Sequence, residues 1–206
     1  MQIEEIKTKI KAGIKEAIET AVFVIVMVIL IRFFVGEIRW IPSGSMKPTL
    51  IEGDRIFVER VSRFFETPKR GDVMVFYPPF EPLAQNPLAI FERLTGFFCK
   101  DIAYIKRVIG LPGDKILIKP DFDGKYAVYV NGKRLEEKYI LDDYDYIPCS
   151  EKMYCGPFTV PTSNYFMLGD NRGNSQDSRF WGFLPKERFV GRAVFLFWPF
   201  TRVNKL

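Results

Sequence analysis

Hydrophobic and polar positions change rhythm twice along this chain. Over residues 1–18, Ile3, Ile6, Ile10, Ile14 and Ile18 recur at helical spacing, with Lys7, Lys9, Lys11 and Lys15 between them. That pattern predicts an amphipathic basic helix suited to a membrane surface. From Ala21 to Ile31 the pattern turns apolar on every face, and between Ala17 and Val35 only Glu19 and Arg32 carry charge. Both lie near the ends, where long side chains reach back to water. About nineteen helical residues at ~1.5 Å each cross most of a ~30 Å hydrocarbon core. Phe34-Val35-Gly36-Glu37 offers no small-x-small cleavage site, so the segment reads as a retained anchor. Lysines precede it and few basic residues follow closely, which predicts a cytoplasmic N-terminus. The expected division is a cytoplasmic basic segment over 1–16, a transmembrane helix over 17–35 and an extracytoplasmic domain over 36–206.

Beyond Gly53 the rhythm changes to short β-branched and aromatic runs between turn signals. These predict strands at Arg55–Arg60, Val73–Phe76, Ile102–Ile109, Lys115–Ile118, Tyr126–Val130, Tyr165–Leu168 and Arg192–Trp198. Asn131-Gly132 is a strong two-residue hairpin signal. The expected fold is mainly β: a catalytic or binding domain of short antiparallel strands behind the anchor. Residues 78–100 and 139–160 read as long irregular loops. Phe80, Phe91, Phe97 and Phe98 in the first are expected in the core, with contact to the bilayer as the other possibility.

Composition narrows the chemistry. The 206 residues contain no histidine, three cysteines and a net charge of +5 without a long basic run. Histidine-based triads, dyads and zinc sites are thereby excluded, and no metal or other cofactor is expected. The spread of charge favours a lipid surface over a nucleic-acid groove.

Ile41-Pro42-Ser43-Gly44-Ser45-Met46-Lys47-Pro48 then draws attention, because two prolines stiffen a loop that presents two serines around a glycine. Either serine could be a nucleophile. Without histidine the base must be another group, and lysine is the obvious one. A lysine works as a base only when neutral, a state of roughly one in a few thousand at pH 7 for the ordinary pKa near 10.4. Burial is how a protein raises that fraction. Lys47 lies on the loop and should be solvated, whereas Lys106 falls within the apolar Asp101–Ile109 run. Strand alternation puts Tyr104, Lys106 and Val108 on one face, opposite Ile105, Arg107 and Ile109.

Four stretches in fixed order resemble the type I signal peptidases, the membrane-anchored serine–lysine endopeptidases of bacteria. They are Pro42–Leu50, Gly71–Phe76, Tyr104–Asp114 and Gly169–Gly182. The resemblance implies Ser45 as nucleophile and Lys106 as general base. It places the Ser43 hydroxyl and the Ser45 amide in the oxyanion hole and makes Ser175 a partner that orients the Lys106 amine. Arg107, Asp170, Arg172, Asp177 and Arg179 become a scaffolding charge network. Substrates of the family carry small residues before the cut, typically Ala-x-Ala. Ile41, Pro42, Met46, Leu50, Tyr104 and Ile105 are then expected to line shallow pockets beside an extended preprotein. The bilayer and the neighbourhood of the translocation channel are the other expected partners, in a bacterial plasma membrane.

Cys149 and Cys155 are expected to form a disulfide from their spacing and their extracytoplasmic placement, leaving Cys99 free and buried. Competing readings are a specialised processing peptidase for pilus or conjugation proteins and a non-catalytic peptide-binding β module. Self-cleaving repressors with a similar dyad are soluble and carry a DNA-binding domain, which this sequence lacks.

Overall fold

The computed structural model of the chain describes residues 2–95, 101–140 and 146–206. Helix α1 (Gln2–Leu30) joins both N-terminal patterns in one piece and ends in a π-helical turn, Ile31–Val35. Lys9–Val35 is long and apolar enough to cross a membrane, and none of its most apolar 18-residue window is buried. Gly36 then starts strand β1 (Gly36–Trp40) without a linker. A Cβ at Gly36 would lie 2.4 Å from the Val58 carbonyl oxygen on β2 (Arg55–Glu59), so only glycine lets the two backbones meet. The junction is tied electrostatically as well. The buried Glu37 carboxylate pairs with Arg32 at 3.4 Å, Arg39 at 2.6 Å and Arg60 at 3.2 Å.

The chain continues through α2 (Ser62–Phe65), β3 (Val73–Phe76), α3 (Pro87–Thr95), β4 (Tyr104–Gly110), β5 (Lys115–Pro120), β6 (Tyr126–Val130) and β7 (Lys133–Arg134). There follow β8 (Phe158–Thr159), β9 (Asn164–Leu168), α4 (Ser178–Trp181), β10 (Leu184–Pro185), β11 (Phe189–Trp198) and β12 (Asn204–Lys205). Among the described residues, eight strands form one sheet in the order β1-β2-β11-β3-β4-β9-β10, with β12 beside β11. Four more form a second sheet, β7-β6-β5-β8. Every pairing is antiparallel, so the domain is mainly β as its alternating runs imply.

All seven expected strands form, their ends displaced by three residues at most. Asn131 and Gly132 take φ of 52° and 81°, the left-handed turn that joins β6 to β7. Strand β1 escapes the sequence reading because Gly36–Trp40 follows the apolar run without a linker and offers only five residues, in which charged Glu37 and Arg39 alternate with Ile38 and Trp40. The 78–100 segment is not an irregular loop throughout, since it contains α3. Asn86 caps that helix by accepting from the Ala89 amide at 2.7 Å, and Pro87 occupies the first turn, where its missing N–H costs nothing. Phe80 and Phe91 are about half exposed and so do not join the core. Phe97, Phe98 and Cys99 lie outside the described residues. The 139–160 segment is largely irregular and includes short β8, and Cys149 is bonded to Cys155 with an S–S distance of 1.99 Å.

Buried apolar side chains gather under the β1–β2 connection, where Ile41, Met46, Leu50, Ile56, Val58 and Val75 pack together. Met46 and Leu50 have no exposed surface, worth about 2 kcal/mol each in transfer free energy. A second cluster, including Ile109, Ile116 and Phe166, lies between the sheets, and a third surrounds Met74, Phe76 and Val108. These clusters hold the two ends of the site described next.

Candidate active site

The serine loop is the connection between β1 and β2. Its neck is closed where the Ile41 amide donates to Asp54 O and the Gly53 amide to Ile41 O, each at 2.9 Å. Gly44–Met46 make one 3-10 turn, and Met46 points down into the core, which leaves Ser45 half-buried on top. Ser43 is extended and exposed, with its Oγ 3.5 Å from Ser45 Oγ. Lys47 stays half-exposed and pairs with Glu52 at 2.8 Å.

Lys106 sits in mid-β4, facing Met74 across the β3 pairing. Its Nζ is 2.7 Å from Ser45 Oγ and 3.0 Å from the Ile105 carbonyl oxygen, to which it donates. The side chain is almost fully buried, and desolvation lowers its pKa from 10.5 to about 8 against the opposing pull of Asp177 and Asp170. Burial wins because both carboxylates are already neutralised. Arg107 clasps Asp170 through two bonds of 2.9 and 2.6 Å, and Arg179 clasps Asp177 through two of 2.8 and 2.9 Å. A resting lysine of this kind is neutral in roughly one molecule in ten at pH 7.

A third segment, Gly169–Asp177 after β9, closes the site from the other side. The Asn171 amide donates to Ser45 O at 3.1 Å, and its Nδ2 donates to Gly44 O at 3.0 Å. Gly169 lies so close beneath that a Cβ would fall 2.2 Å from Ser175 Oγ and 2.5 Å from Ser45 O. The Gly169 amide donates to Asp177, and Thr49 on the serine loop donates to Asp170 at 2.5 Å. Three chain segments far apart in sequence are thus locked around one hydroxyl and one amine.

A family model described as signal peptidase, peptidase S26, matches residues 14–198. The chain belongs to that family. It is 44% identical over 176 residues to the signal peptidase I of Leptolyngbya laminosa, covering 85% of this chain and 75% of that protein. A probable signal peptidase I-2 of Synechocystis is 43% identical over 178 residues, 85% of this chain and 69% of its own. A crystal structure of a signal peptidase I from Enterococcus faecalis covers 63% of this chain and 98% of its own at 27% identity, with a TM-score of 0.44. The two sequence relatives make this chain an endopeptidase of the signal peptidase I class.

Several residues nominated by the signal peptidase resemblance fall elsewhere than expected. Met46 and Leu50 are core residues without accessible surface and Ile41 has almost none, so they support the serine loop from beneath and do not line an open pocket. Ile105 is buried too, while Pro42 is exposed and Tyr104 half-exposed beside the site. Ser175 is buried, and its Oγ makes no hydrogen bond among the described residues, because the Lys106 amine is turned between Ser45 Oγ and Ile105 O. The charge network is really separate clasps. Arg172 reaches out of the motif to Glu137 and to the Tyr146 hydroxyl at 2.6 Å, and it also donates to Gly169 O at 2.9 Å. Arg107 lies 4.0 Å from the centre of the Tyr139 ring. Asn171, Glu137, Tyr139 and Tyr146 escape sequence reasoning. Asn171 lies in a quoted motif, but nothing in the motif reveals which carbonyls it meets, and the other three stand in an unpatterned stretch. Among the described residues no group of His, Cys, Asp and Glu side chains is arranged to hold a metal ion.

Proposed function

We propose that this membrane-anchored peptidase removes signal peptides by a serine–lysine mechanism, with Ser45 as nucleophile and Lys106 as general base. The observation that carries the proposal is the 2.7 Å contact between Ser45 Oγ and a buried lysine whose pKa is held near 8. Neutral Lys106 accepts the hydroxyl proton as Ser45 Oγ bonds to the scissile carbonyl carbon. The Ser45 amide and the Ser43 hydroxyl donate to the oxyanion that develops. The ammonium then gives its proton to the departing amine, and the same lysine activates the water that hydrolyses the ester. Ser175 Oγ, buried and unpartnered beside the site, is the acceptor available to the ammonium as it turns during this cycle.

The substrate is read as a preprotein in extended form beside Pro42 and Tyr104, cut after small residues of the Ala-x-Ala type. Its signal peptide lies in the same bilayer as residues 17–35, whose N-terminal lysines place residues 1–16 in the cytoplasm and the domain from residue 36 outside. A bacterial plasma membrane, close to the translocation channel, is where such substrates emerge. Cleavage of an Ala-x-Ala preprotein by the parent chain, Ser45→Ala and Lys106→Met tests the mechanism. Both variants should fold and lose turnover, and undiminished cleavage by either would end this reading.

A further inference from the structure

Helix α3 wears its amphipathic pattern inside out. Its apolar side chains Leu88, Ile90, Phe91 and Leu94 are 67%, 39%, 48% and 39% exposed. Its charged side chains turn inward instead. Arg93 pairs with Asp101 at 3.1 Å and donates to the Ala84 carbonyl at 2.6 Å, and Glu92 is half-buried. A helix in water buries its apolar stripe, and nine residues are too few to hold a helix that does not. Here the ends are fixed instead: Asn86 caps the start, and the wholly buried Arg60 donates to Leu94 O at 2.5 Å and to Arg93 O at 3.4 Å. The protein therefore holds α3 firmly in an orientation that water disfavours.

Its position supplies the reason. α3 packs against Ile31–Val35, the last turn of the apolar span, and the same Arg60 guanidinium pairs with Glu37 at the foot of β1. The neighbouring surface is aromatic, with Phe33, Phe34 and Phe64 in ring contact and Phe34 and Phe64 about half exposed. We propose that α3 is a second membrane contact: Leu88, Ile90, Phe91 and Leu94 insert at the boundary between headgroups and acyl chains, beside the anchor. An anchor alone leaves the domain free to spin and tilt about the helix axis. A contact off that axis sets both the rotation and the height of the Ser45 loop above the bilayer. The inserting face carries no charge, so a zwitterionic phosphatidylcholine surface is sufficient and salt should not release it. This rests on reading residues 17–35 as a membrane span.

The test uses the full chain reconstituted in phosphatidylcholine vesicles, plain or brominated near the headgroup. Trp emission added by Leu88→Trp or Phe91→Trp should be mostly lost in brominated lipid, at low and high salt alike. Emission added by Phe122→Trp, at the fully exposed β5–β6 turn, should be unaffected. No quenching at residues 88 and 91, or equal quenching at 122, overturns the proposal. So does emission that follows protein density instead of bromination, which would give the face to a second copy of the chain. In parallel, Leu88→Glu combined with Phe91→Glu should raise KM for a vesicle-borne preprotein several-fold and leave hydrolysis of a short soluble peptide unchanged. Equal losses on both substrates would make α3 merely structural and also overturn it. Soluble-peptide hydrolysis that persists in the parent and vanishes in Ser45→Ala keeps the peptidase reading separate from either result.

Discussion

At the residue scale, the proposed role of Lys106 as base couples activity to stability. Its pKa falls from 10.5 in the unfolded chain to about 8 in the fold, so the folded state holds this proton less tightly. Between those values the unfolded chain binds more protons, and stability rises with pH across the window. Below pH 8 the buried ammonium costs the fold on the order of 3 kcal/mol. Lys106→Met should therefore melt higher than the parent at pH 7, with the difference shrinking as pH approaches 10.5, by calorimetry across pH. The parent's kcat/KM should climb through an apparent pKa near 8 as the base loses its proton, and an acid shoulder two units lower would contradict this assignment. Asn171 carries the other prediction at this scale. Losing its Nδ2 bond to Gly44 O loosens the serine turn without touching substrate or base. Asn171→Ala should lower kcat roughly tenfold, for about 1.4 kcal/mol of lost positioning, with KM and the pH midpoint unchanged. A change confined to KM would place Asn171 in substrate binding instead.

At the element scale, the arginines of the final motif are satisfied by a stretch that carries no motif. Glu137 and Tyr146 lie on Arg172, the Tyr146 ring also faces Arg179, Tyr139 lies on Arg107 of the Tyr104–Asp114 stretch, and the Cys149–Cys155 bridge staples the chain that follows. The Tyr154 amide then donates to the Arg179 carbonyl at 2.7 Å, so this stretch backs both arginines behind the Lys106 end of the site. Closing so short a loop is worth about 2 kcal/mol by chain entropy. Replacing both cysteines by serine should lower Tm by several degrees while catalysis on peptide persists at temperatures where the variant is folded. Loss of activity in a folded variant would show that the staple also tunes the site. Of this only the Cys149–Cys155 bridge was legible in the sequence; the contacts of Glu137, Tyr139 and Tyr146 were not, because irregular backbone has no periodicity and its contacts are chosen by what lies across from it.

At the scale of the whole molecule, the anchor and the sheet are one mechanical unit joined at Glu37. Removing that carboxylate leaves Arg60 buried and uncompensated, a loss of about 3–5 kcal/mol. Glu37→Ala should therefore melt far lower than the parent, and an unchanged Tm would mean that Arg60 finds its balance elsewhere. The sequence by itself determined the apolar helix, the mainly β class, the hairpin at Asn131-Gly132 and the pairing of a presented serine with Lys106. Each of these follows from a period, a turn requirement or the absence of histidine, all of which are local or compositional. Tertiary structure decided what depends on juxtaposition: that Met46 and Leu50 support the loop instead of lining a pocket, that Asn171 holds the Ser45 turn, and that Glu137 answers Arg172. It also decided that α3 turns its apolar face outward. Burial and partner choice belong to pairs of residues distant along the chain, and no pattern within either partner records them.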